Sequence, residues 1–242
     1  MTDRATSKKT LVVVVTYNEG DKLRALVNRF PTDREYDLVF IDDGSTDGST
    51  QFLEVEGHAV IRHNQNCGVG VGIRSAVGYC REHGYEVIVI MAGNGKMLPE
   101  EIPRLLEPIV TEQADYVQGS RYLEGGRSPN LPRFRHFAIR LLTGVIGRLI
   151  GFRGTDLTCG FRAYRLNLLD DSEVDISQDW LGRYEMEYYI HFKAITLGYR
   201  VTEVPVSMIY PEHRKDYSKI KPLTGWWSML RPWVFLLLRI KK

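Results

Sequence analysis

Cysteine is scarce in this chain, and the few cysteines present do not form pairs. Cys67, Cys80 and Cys159 lie far apart, their number is odd, and no CxxC motif occurs. A disulfide framework needs paired cysteines, and a structural zinc site needs clustered ones. The sequence therefore predicts neither of these, and it is typical of a protein from a reducing compartment, which we expect to be the cytoplasm.

The chain also lacks a strong charge of either sign. Lysine and arginine total 32 and aspartate and glutamate total 30, so the formal net charge is only +2. Nucleic-acid binding would have no global electrostatic support, and we expect no nucleic acid as a partner. The N-terminus is polar and shows no signal peptide. The basic excess is local and falls near the C-terminus.

The C-terminal apolar stretch, residues 226–240, is too short to cross a bilayer. As a helix rising ~1.5 Å per residue it would span roughly 22 Å, whereas a hydrocarbon core is ~30 Å thick. Two interpretations stay open. It is either an interfacial or docking helix, with Trp226, Trp227 and Trp233 at the level of lipid headgroups, or a terminal helix packed on the protein's own core.

Apolar runs of strand type alternate with segments of helical spacing. The strands are predicted at residues 11–15, 38–41, 59–63, 86–91, 115–118 and 199–206. The helices are predicted at residues 21–30, 48–54, 72–82, 99–112, 133–152 and 180–197, and residues 154–165 form a polar, turn-rich stretch. This alternation indicates an α/β fold with right-handed βαβ units and a mostly parallel central sheet flanked by helices. We expect one domain over residues 1–210, followed by a basic loop and a Trp- and Leu-rich helix over residues 211–242.

Polar residues follow the first two predicted strands directly. Tyr17 and Glu19 come after the first strand, and Asp42, Asp43 and Gly44 end the second. Ligands of open α/β sheets bind outside the carboxyl ends of the strands. A carboxylate held there can accept hydrogen bonds from a nucleotide base or from ribose hydroxyls. The second motif alone would equally suit a plain turn with a capping Asp, and its pairing with the first favours the ligand site.

A glycine cluster at Gly68, Gly70 and Gly72 has the wrong place for a dinucleotide fingerprint. That fingerprint follows the first strand of its domain with GxGxxG spacing, whereas these glycines follow the third strand with GxGxG spacing. An NAD-dependent oxidoreductase is therefore disfavoured. Close packing of a helix start on the sheet and close backbone approach to a ligand explain the cluster equally well.

Ordered motifs that cover nearly the whole chain to about Val206 resemble those of family-2 glycosyltransferases, which have the A-type nucleotide-sugar-binding fold. The nearest likeness is to the dolichol-phosphate or polyprenyl-phosphate mannosyl- and glucosyl-synthases. The matching stretches are VVVVTYNEGDKL, VFIDDGSTDGS, NQNCGVGVGIRSAV, VIVIMAGNGKMLPEEIPRLL, VQGSRYLEGG, DLTCGFRAYR and LGYRVTEVPV. The resemblance implies an inverting transfer of a sugar from a UDP- or GDP-sugar to an acceptor such as a polyprenyl phosphate at a membrane face.

The resemblance also implies which residues would bind the nucleotide. They are Tyr17, Glu19, Ile41, Asp43, Gly93, Arg214 and Lys219. Ile41 would lie beneath the base, while Arg214 and Lys219 match a basic loop that closes over the nucleotide. Cations at the leaving diphosphate would stabilise the charge that develops during transfer. The alternative for these two cations is a solvated charge run.

Other positions would act on the acceptor and the transferred sugar. The resemblance implies that Arg121 meets the diphosphate or the acceptor phosphate, that Asp156 is a catalytically important carboxylate, and that Arg162 contacts the acceptor phosphate. A phosphate acceptor is already ionised near neutral pH and has little need of a strong base. A hydroxyl acceptor would need one, for which Asp156 or Asp179 would serve.

The metal motif departs from the family pattern. In the family, Asp-x-Asp follows the fourth strand, whereas here Ala92, Gly93 and Asn94 stand there and Lys96 follows. Asn94 keeps one uncharged oxygen for Mg²⁺ or Mn²⁺. Three interpretations stay open: an ion held by substrate, water and Asn94; cations led by Lys96 in place of the ion; or nucleotide-sugar binding without catalysis.

A membrane surface is the further partner that the resemblance implies. The arginine-studded apolar segment 133–152 and the C-terminal stretch would attach the protein peripherally to the inner face of a membrane, and the alternative is that both pack as ordinary core or dimer surface. A homo-oligomer stays open. A nucleotidyltransferase is disfavoured, because the first strand is not followed by a Gly-rich loop with Lys or Arg of the kind that such enzymes need.

Overall fold

A mixed β-sheet forms the centre of the protein, whose computed structural model describes residues 9–212 and 224–241. The strands are β1 (Thr10–Thr16), β2 (Asp37–Asp42), β3 (Ala59–Arg62), β4 (Val87–Ala92), β5 (Tyr116–Ser120), β6 (Arg162–Arg165) and β7 (Val201–Pro205). Within the described residues these seven strands have the order β3-β2-β1-β4-β6-β5-β7. All neighbours pair in parallel except β6, which is antiparallel to both β4 and β5.

Helices cover the sheet. They are α1 (Asp21–Val27), α2 (Gln51–Val55), α3 (Val69–Glu82), α4 (Ile102–Val110), α5 (Arg133–Ile150), α6 (Glu185–Thr196) and α7 (Thr224–Leu237). Short 3₁₀ turns occur at Pro99–Glu101, Leu166–Asp170 and Asp179–Leu181. The predicted α/β fold with a mostly parallel sheet is confirmed. None of the described helices is long and apolar enough to cross a membrane.

The two faces of the sheet bury two separate apolar clusters. Val12 and Val14 of β1 point into one cluster, which α1 and α4 complete, and Leu11 and Val13 point into the other, which α3 and α6 complete. Successive side chains of a strand alternate between faces, so a strand covered on both sides is apolar throughout. This explains the uninterrupted run that made β1 recognisable in the sequence.

The largest departure from the predicted elements is β6. Residues 154–165 were expected to be turn-rich throughout, yet Arg162–Arg165 pairs with both β4 and β5. The four-residue strand begins and ends with arginine, and it therefore carries neither an apolar run nor the alternation of a half-buried strand. Its position depends on the partners that the fold supplies on both sides.

Several helix boundaries also differ from the predicted ones. The helix expected over residues 180–197 begins at Glu185 after a 3₁₀ turn, and the helix expected over 99–112 has a 3₁₀ turn at Pro99–Glu101 and ends at Val110. The helix expected from residue 72 begins earlier, at Val69, and the one expected from residue 48 begins later, at Gln51. Helix ends depend on turn geometry that apolar spacing does not report.

Helix α7 packs on the protein through Trp233. This side chain is fully buried among Ile146 and Ile150 of α5, and its ring centroid lies 5.4 Å from that of Tyr188 on α6. The prediction that Trp233 lies at the level of lipid headgroups is therefore wrong, because the indole lies in an apolar cluster inside the protein. For this part of the C-terminal stretch, packing on the protein's own core is correct; the side chains of residues 226 and 227 lie outside the described part.

Close backbone packing explains the glycine cluster. A Cβ built on Gly70 would lie 2.0 Å from the carbonyl oxygen of Leu181, and one on Gly68 would lie 2.5 Å from that of Gly182. The Gly70 amide donates to the Gly182 carbonyl at 3.1 Å. A Cβ on Gly72 would meet the side chains of β1 and β2. The start of α3 thus packs against both the sheet and the 181–183 backbone.

We expect Gly70→Ala to lower the free energy of unfolding by about 1–3 kcal/mol, because its methyl group would overlap the Leu181 carbonyl and force the backbone apart. Gly78→Ala on the same helix is the matched control. No atom lies within 4 Å of a Cβ built there, so this substitution should stabilise by about 0.4–1 kcal/mol. Urea unfolding followed by circular dichroism measures both, and equal effects would contradict the packing argument.

Candidate active site

The loops after β1 and β2 are bonded to each other. The Asn18 amide donates to Ser45 Oγ at 3.1 Å, and the Thr46 amide donates to Asn18 Oδ1 at 2.8 Å. The Gly20 amide donates to Asp47 Oδ2 at 3.1 Å. Asn18 has a positive φ of 49°, which asparagine tolerates better than most residues. The two polar motifs of the sequence therefore form one rim.

Of the two adjacent aspartates, Asp42 holds the turn together. Its carboxylate accepts from the Ser45 amide at 2.9 Å, from Thr50 Oγ1 at 2.6 Å and from the Arg62 guanidinium. Burial opposes ionisation, but the hydrogen bonds from Ser45 and Thr50 and the charge of Arg62 hold the pKa of Asp42 below its ordinary value. This carboxylate serves the loop rather than a ligand.

Asp43 faces the start of α3. Its Oδ1 accepts from the Cys67 amide at 3.0 Å and lies 2.8 Å from His63 Nδ1, and its Oδ2 accepts from the Gly68 amide at 2.8 Å. The second ring nitrogen of His63 lies 2.9 Å from Ser75 Oγ. His63 therefore fixes the orientation of the carboxylate that the sequence placed in the nucleotide pocket.

Asp43, His63 and Cys67 also bring three potential metal-ligand atoms within 4.8 Å of one another. The spacing of the histidines and cysteines along the chain gave no indication of this group. It arises because β2, β3 and the loop before α3 end at one place. Both Asp43 oxygens already accept hydrogen bonds there, which makes a structural role for this carboxylate the simplest account.

The other residues predicted for the nucleotide have different surroundings. Tyr17 and Glu19 are half-buried at the rim. Ile41 is fully enclosed, and a Cβ built on Gly72 would lie 3.3 Å from its Cγ2, so α3 covers it. A Cβ built on Gly93 would lie 2.8 Å from the Cβ of Thr16, so no larger residue fits at Gly93. Arg214 and Lys219 lie outside the described residues.

A buried ion pair forms the second half of the site. Arg121 follows β5 directly and donates two parallel hydrogen bonds to Asp156, from Nε to Oδ2 at 2.7 Å and from Nη2 to Oδ1 at 2.8 Å. Asp156 is fully buried and Arg121 is 5% exposed. Burial opposes ionisation of Asp156, yet the Arg121 charge and its hydrogen bonds hold the pKa of Asp156 below its ordinary value. The same pair raises the pKa of Arg121.

The loop that carries Asp156 is fixed by Glu203 of β7. One Glu203 oxygen accepts from the Asp156 amide at 2.8 Å, and the other accepts from the Thr155 amide and hydroxyl at 2.6 and 2.9 Å. Thr158 Oγ1 accepts a further bond from Arg121 Nη2 at 2.6 Å. Sequence reasoning missed Glu203, and the single carboxylate in this strand was the available signal.

Tyr210 joins this pair to the segment that replaces the metal motif. Its hydroxyl accepts from Arg121 Nη1 at 2.9 Å, and Lys96 Nζ lies 5.3 Å from the centroid of its ring. The Ile209 amide donates to the Lys96 carbonyl at 2.8 Å. Lys96 and Arg121 lie 25 positions apart in the sequence, yet both lie beside Tyr210. Sequence analysis had not identified this tyrosine as a site residue.

Asn94 does not present an open oxygen. Its Oδ1 accepts from the Lys96 amide at 3.1 Å, which closes a tight turn, and Ala92 offers no side-chain ligand. Mg²⁺ and Mn²⁺ prefer several hard oxygens, usually including a carboxylate. Among the described residues, this segment supplies one side-chain oxygen, which is neutral and already bonded, with an ammonium group nearby. These residues do not fit a divalent ion.

Arg162 lies inside the sheet rather than at its edge. In β6 it pairs with Ile90 and Gln118, two positions from the last residue of β4 and of β5. Its guanidinium donates to the carbonyls of Cys159 and Glu187 and is 2% exposed. A contact with an acceptor phosphate, as the resemblance implied, would require these bonds to open.

The site thus has two chemically different ends on one edge of the sheet. The carboxyl ends of β1, β2, β4, β5 and β7 lie at this edge because these strands run in one direction, and the loop that enters β6 returns to it. The rim carries the half-buried polar residues Tyr17 and Glu19, and the other end carries the cations Lys96 and Arg121, of which Arg121 is paired with Asp156. Such an arrangement suits a ligand with a polar, hydrogen-bonding end and an anionic end.

This fold, with polar and cationic residues at the carboxyl ends of its strands, is compatible with the glycosyltransferase that the sequence motifs predicted. The profile of Glycosyl transferase family 2 matches residues 11–173, and the chain belongs to that family. The match includes Asp43, Lys96, Arg121 and Asp156, whereas Glu203 and Tyr210 lie beyond it. The protein is thus an enzyme of the glycosyltransferase class, as the sequence motifs predicted.

Two named relatives match most of the chain. The undecaprenyl-phosphate mannosyltransferase of Micrococcus luteus is 32% identical over 84% of this chain and 85% of its own length. The polyprenol monophosphomannose synthase of Mycolicibacterium smegmatis is 31% identical over 88% of this chain and 82% of its own. The predicted likeness to the polyprenyl-phosphate branch of the family is confirmed.

A solved structure supports the fold. The glucosyl-3-phosphoglycerate synthase of Mycobacterium tuberculosis, crystallised with uridine diphosphate, superposes with a TM-score of 0.67 at 18% identity. The superposition covers 96% of this chain and 80% of that one. At this identity the likeness bears on the fold alone, and it confirms the A-type glycosyltransferase architecture.

We expect Asp156→Asn to lower the free energy of unfolding by about 3–5 kcal/mol, because Arg121 would remain buried without its counter-charge. The matched control is Asp170→Asn, which removes the partner of Arg81 in an exposed ion pair with an N–O distance of 2.7 Å. That change should cost about 0.5 kcal/mol or less. Urea unfolding measures both, and similar losses would show that the buried pair has no special structural weight.

Proposed function

We propose that this enzyme transfers a sugar from a nucleoside diphosphate sugar, a UDP- or GDP-sugar, to a polyprenyl phosphate at a membrane surface, with inversion at the anomeric carbon. The names of the two relatives point to this acceptor class. The observation that carries the proposal is the state of Asp156. It is enclosed and paired with Arg121, and its pKa lies below its ordinary value.

A carboxylate in that state is a poor general base. Deprotonation of a hydroxyl acceptor would need a base with a pKa near the working pH, and Asp156 has been shifted in the opposite direction. An acceptor phosphate needs no such base, because it is ionised near neutral pH. Asp156 then acts by holding Arg121, whose guanidinium attracts the phosphate, and the acceptor oxygen attacks the anomeric carbon directly while the nucleoside diphosphate leaves.

The leaving diphosphate needs positive charge as the glycosidic bond breaks. We infer that Lys96 supplies it. This side chain lies in the segment where the family has its metal motif, and Tyr210 connects it to Arg121. Since Ala92 and Asn94 do not fit Mg²⁺ or Mn²⁺, a fixed ammonium group in place of the ion is the interpretation that this donor set favours.

The acceptor and the donor are tested together. Purified protein is incubated with radiolabelled UDP- and GDP-sugars and either undecaprenyl phosphate or undecaprenol, and the product is extracted into organic solvent. We expect label in the organic phase only with the phosphorylated lipid, because its oxygen is already ionised. Nuclear magnetic resonance of the product reports the anomeric configuration. Transfer to the alcohol at the same rate would overturn the phosphate acceptor, and nucleotide binding with no product would favour a non-catalytic binding protein.

The proposed role of Lys96 predicts how the rate depends on metal and on charge. Activity should be unchanged by EDTA and by added Mn²⁺, and Lys96→Met should lower kcat about 10²–10³-fold because the departing charge loses its partner. Lys96→Arg should retain more activity than Lys96→Met. The matched control is Lys193→Met, which removes a cation placed similarly, 5.6 Å from the Tyr189 ring centroid but on α6. Loss of activity in EDTA with restoration by Mn²⁺ would contradict this role.

A further inference from the structure

The first turn of α6 carries two carboxylates with different surroundings. They belong to Glu185 and Glu187. Glu185 is 1% exposed and forms an ion pair with Arg231 of α7. The Glu187 side chain is 13% exposed, and its ionic contact is with Arg162, whose Nε lies 3.9 Å from Glu187 Oε1. Of these two acids, therefore, only Glu185 has a cation at hydrogen-bond distance.

The Glu187 carboxylate has no hydrogen-bond donor within residues 9–212 and 224–241, since 3.9 Å is too long for such a bond. The Arg162 guanidinium donates instead to the Cys159 carbonyl, the Tyr116 hydroxyl and the Glu187 backbone carbonyl. Burial raises the pKa of Glu187, and the charge of Arg162 offsets part of this rise. A largely buried carboxylate that no donor satisfies is costly to fold around, and in a cleft it indicates ligand binding.

This carboxylate lies beside both segments that form the cationic end of the site. A Cβ built on Gly160 would lie 3.1 Å from Glu187 Oε1 and 3.3 Å from Met97 Cε. Met97 directly follows Lys96, and Gly160 belongs to the loop that runs from Asp156 into β6. Glu187 therefore adjoins the segment in place of the metal motif on one side and the loop of the buried ion pair on the other.

Two tyrosines next to Glu187 in the sequence connect it electrostatically to the rest of the site. Burial raises the pKa of Tyr184, and the charges of Glu187 and of Glu19 at the rim raise it further. Burial likewise raises the pKa of Tyr188, on which Glu187 and the Arg121–Asp156 pair also act. The start of α6 thus borders the site between the rim and the buried ion pair.

The sign of the charge on Glu187 limits which part of a ligand can lie against it. An ionised carboxylate repels a diphosphate or an acceptor phosphate, whereas Lys96 and Arg121 attract them. The sugar of a nucleotide sugar is the part that is rich in hydroxyl groups, and an ionised carboxylate accepts strong hydrogen bonds from hydroxyls. Of the parts of such a ligand, the sugar is the one that fits beside Glu187.

We propose that Glu187 binds the transferred sugar and determines which sugar the enzyme accepts, by accepting a hydrogen bond from a hydroxyl group away from the anomeric carbon. The inference deepens the proposed function and rests on it in one respect, namely that the donor is a nucleotide sugar. A sugar without that hydroxyl, or with its opposite configuration, leaves the buried carboxylate unpaired and binds more weakly.

The test is calorimetric binding of a panel of UDP- and GDP-hexoses and of UDP and GDP alone, so that no acceptor is needed. For the sugar that binds best, Glu187→Ala should weaken binding at least about tenfold, because a hydrogen bond to a charged group is lost. Binding of the nucleoside diphosphate without the sugar should change less than about twofold. Glu187→Gln should weaken binding less than Glu187→Ala, since its amide oxygen still accepts from a hydroxyl.

Monodeoxy sugars identify the hydroxyl that Glu187 binds. One monodeoxy donor should bind to the unmodified protein at least about tenfold more weakly than its parent sugar, and should bind to the Glu187→Ala variant as well as its parent does. This loss of difference is the coupling that a direct contact produces. The matched control is Glu185→Gln, which removes a carboxylate from the same turn of α6 but not from the site, and it should leave every ratio between sugars unchanged.

Thermal unfolding separates this role from a structural one. Because burial raises the pKa of Glu187, the folded protein disfavours its ionised form, and ionisation near neutral pH lowers stability. Glu187→Gln should therefore unfold near neutral pH at a temperature no lower than the unmodified protein. A clear fall in unfolding temperature, with no change in the ratios between sugars, would show that the carboxylate supports the fold and would overturn the proposal.

Two further results would overturn it. One is an equal loss of affinity for nucleotide sugars and for nucleoside diphosphates in Glu187→Ala. The other is a fall in kcat with unchanged donor binding and unchanged ratios between sugars, because Glu187 would then act on the reacting atoms. Selection among sugars through Glu187 without transfer to any polyprenyl phosphate would refute the proposed acceptor and leave the sugar contact standing, whereas binding of no nucleotide sugar would refute both.

Discussion

The ion pair between Arg121 and Asp156 is the interaction on which the rest of the site depends. It joins the end of β5 to the loop that enters β6, and Glu203 on β7 fixes that loop through its backbone amides. Two charges without access to water persist only when each satisfies the other, which two parallel hydrogen bonds achieve here. The same pairing lowers the basicity of Asp156. A weakly basic carboxylate suits an acceptor that is already ionised and does not suit one that must be deprotonated.

The positive end of the site is built without a metal motif. Tyr210 receives a hydrogen bond from Arg121 and places its ring beside the ammonium group of Lys96. In the family pattern two carboxylates and an ion occupy this segment, whereas here Ala92 and Asn94 stand in their place and Lys96 follows, which is the basis of the proposed replacement of the ion by a side-chain cation. A fixed cation and a bound ion both supply positive charge to a leaving diphosphate, but the cation does so with no dependence on metal concentration.

Much of the fold could be predicted because its strands are buried on both faces. Such strands are apolar throughout and stand out in the sequence, as β1 and β4 do, and their polar ends located Asp43 and the segment from Ala92 to Lys96. Strand β6 could not be predicted in this way, because Arg162–Arg165 has no apolar run and is a strand only through its partners. Trp233 left two interpretations open in the sequence, because an indole suits a lipid interface and a protein core equally well, and its burial decided for the core.

The sequence by itself determined the family, the residue types at the rim and the order of the elements other than β6, because these follow from local patterns. Tertiary structure decided what those residues contact. In the folded protein Asp42 stabilises a turn, whereas Asp43 is oriented by His63. The Asn94 side chain accepts a hydrogen bond from a backbone amide, and one side of α5 faces away from the core. Spacing along a chain fixes which side chains can share a strand or helix face, whereas burial and partners depend on elements that are distant in sequence.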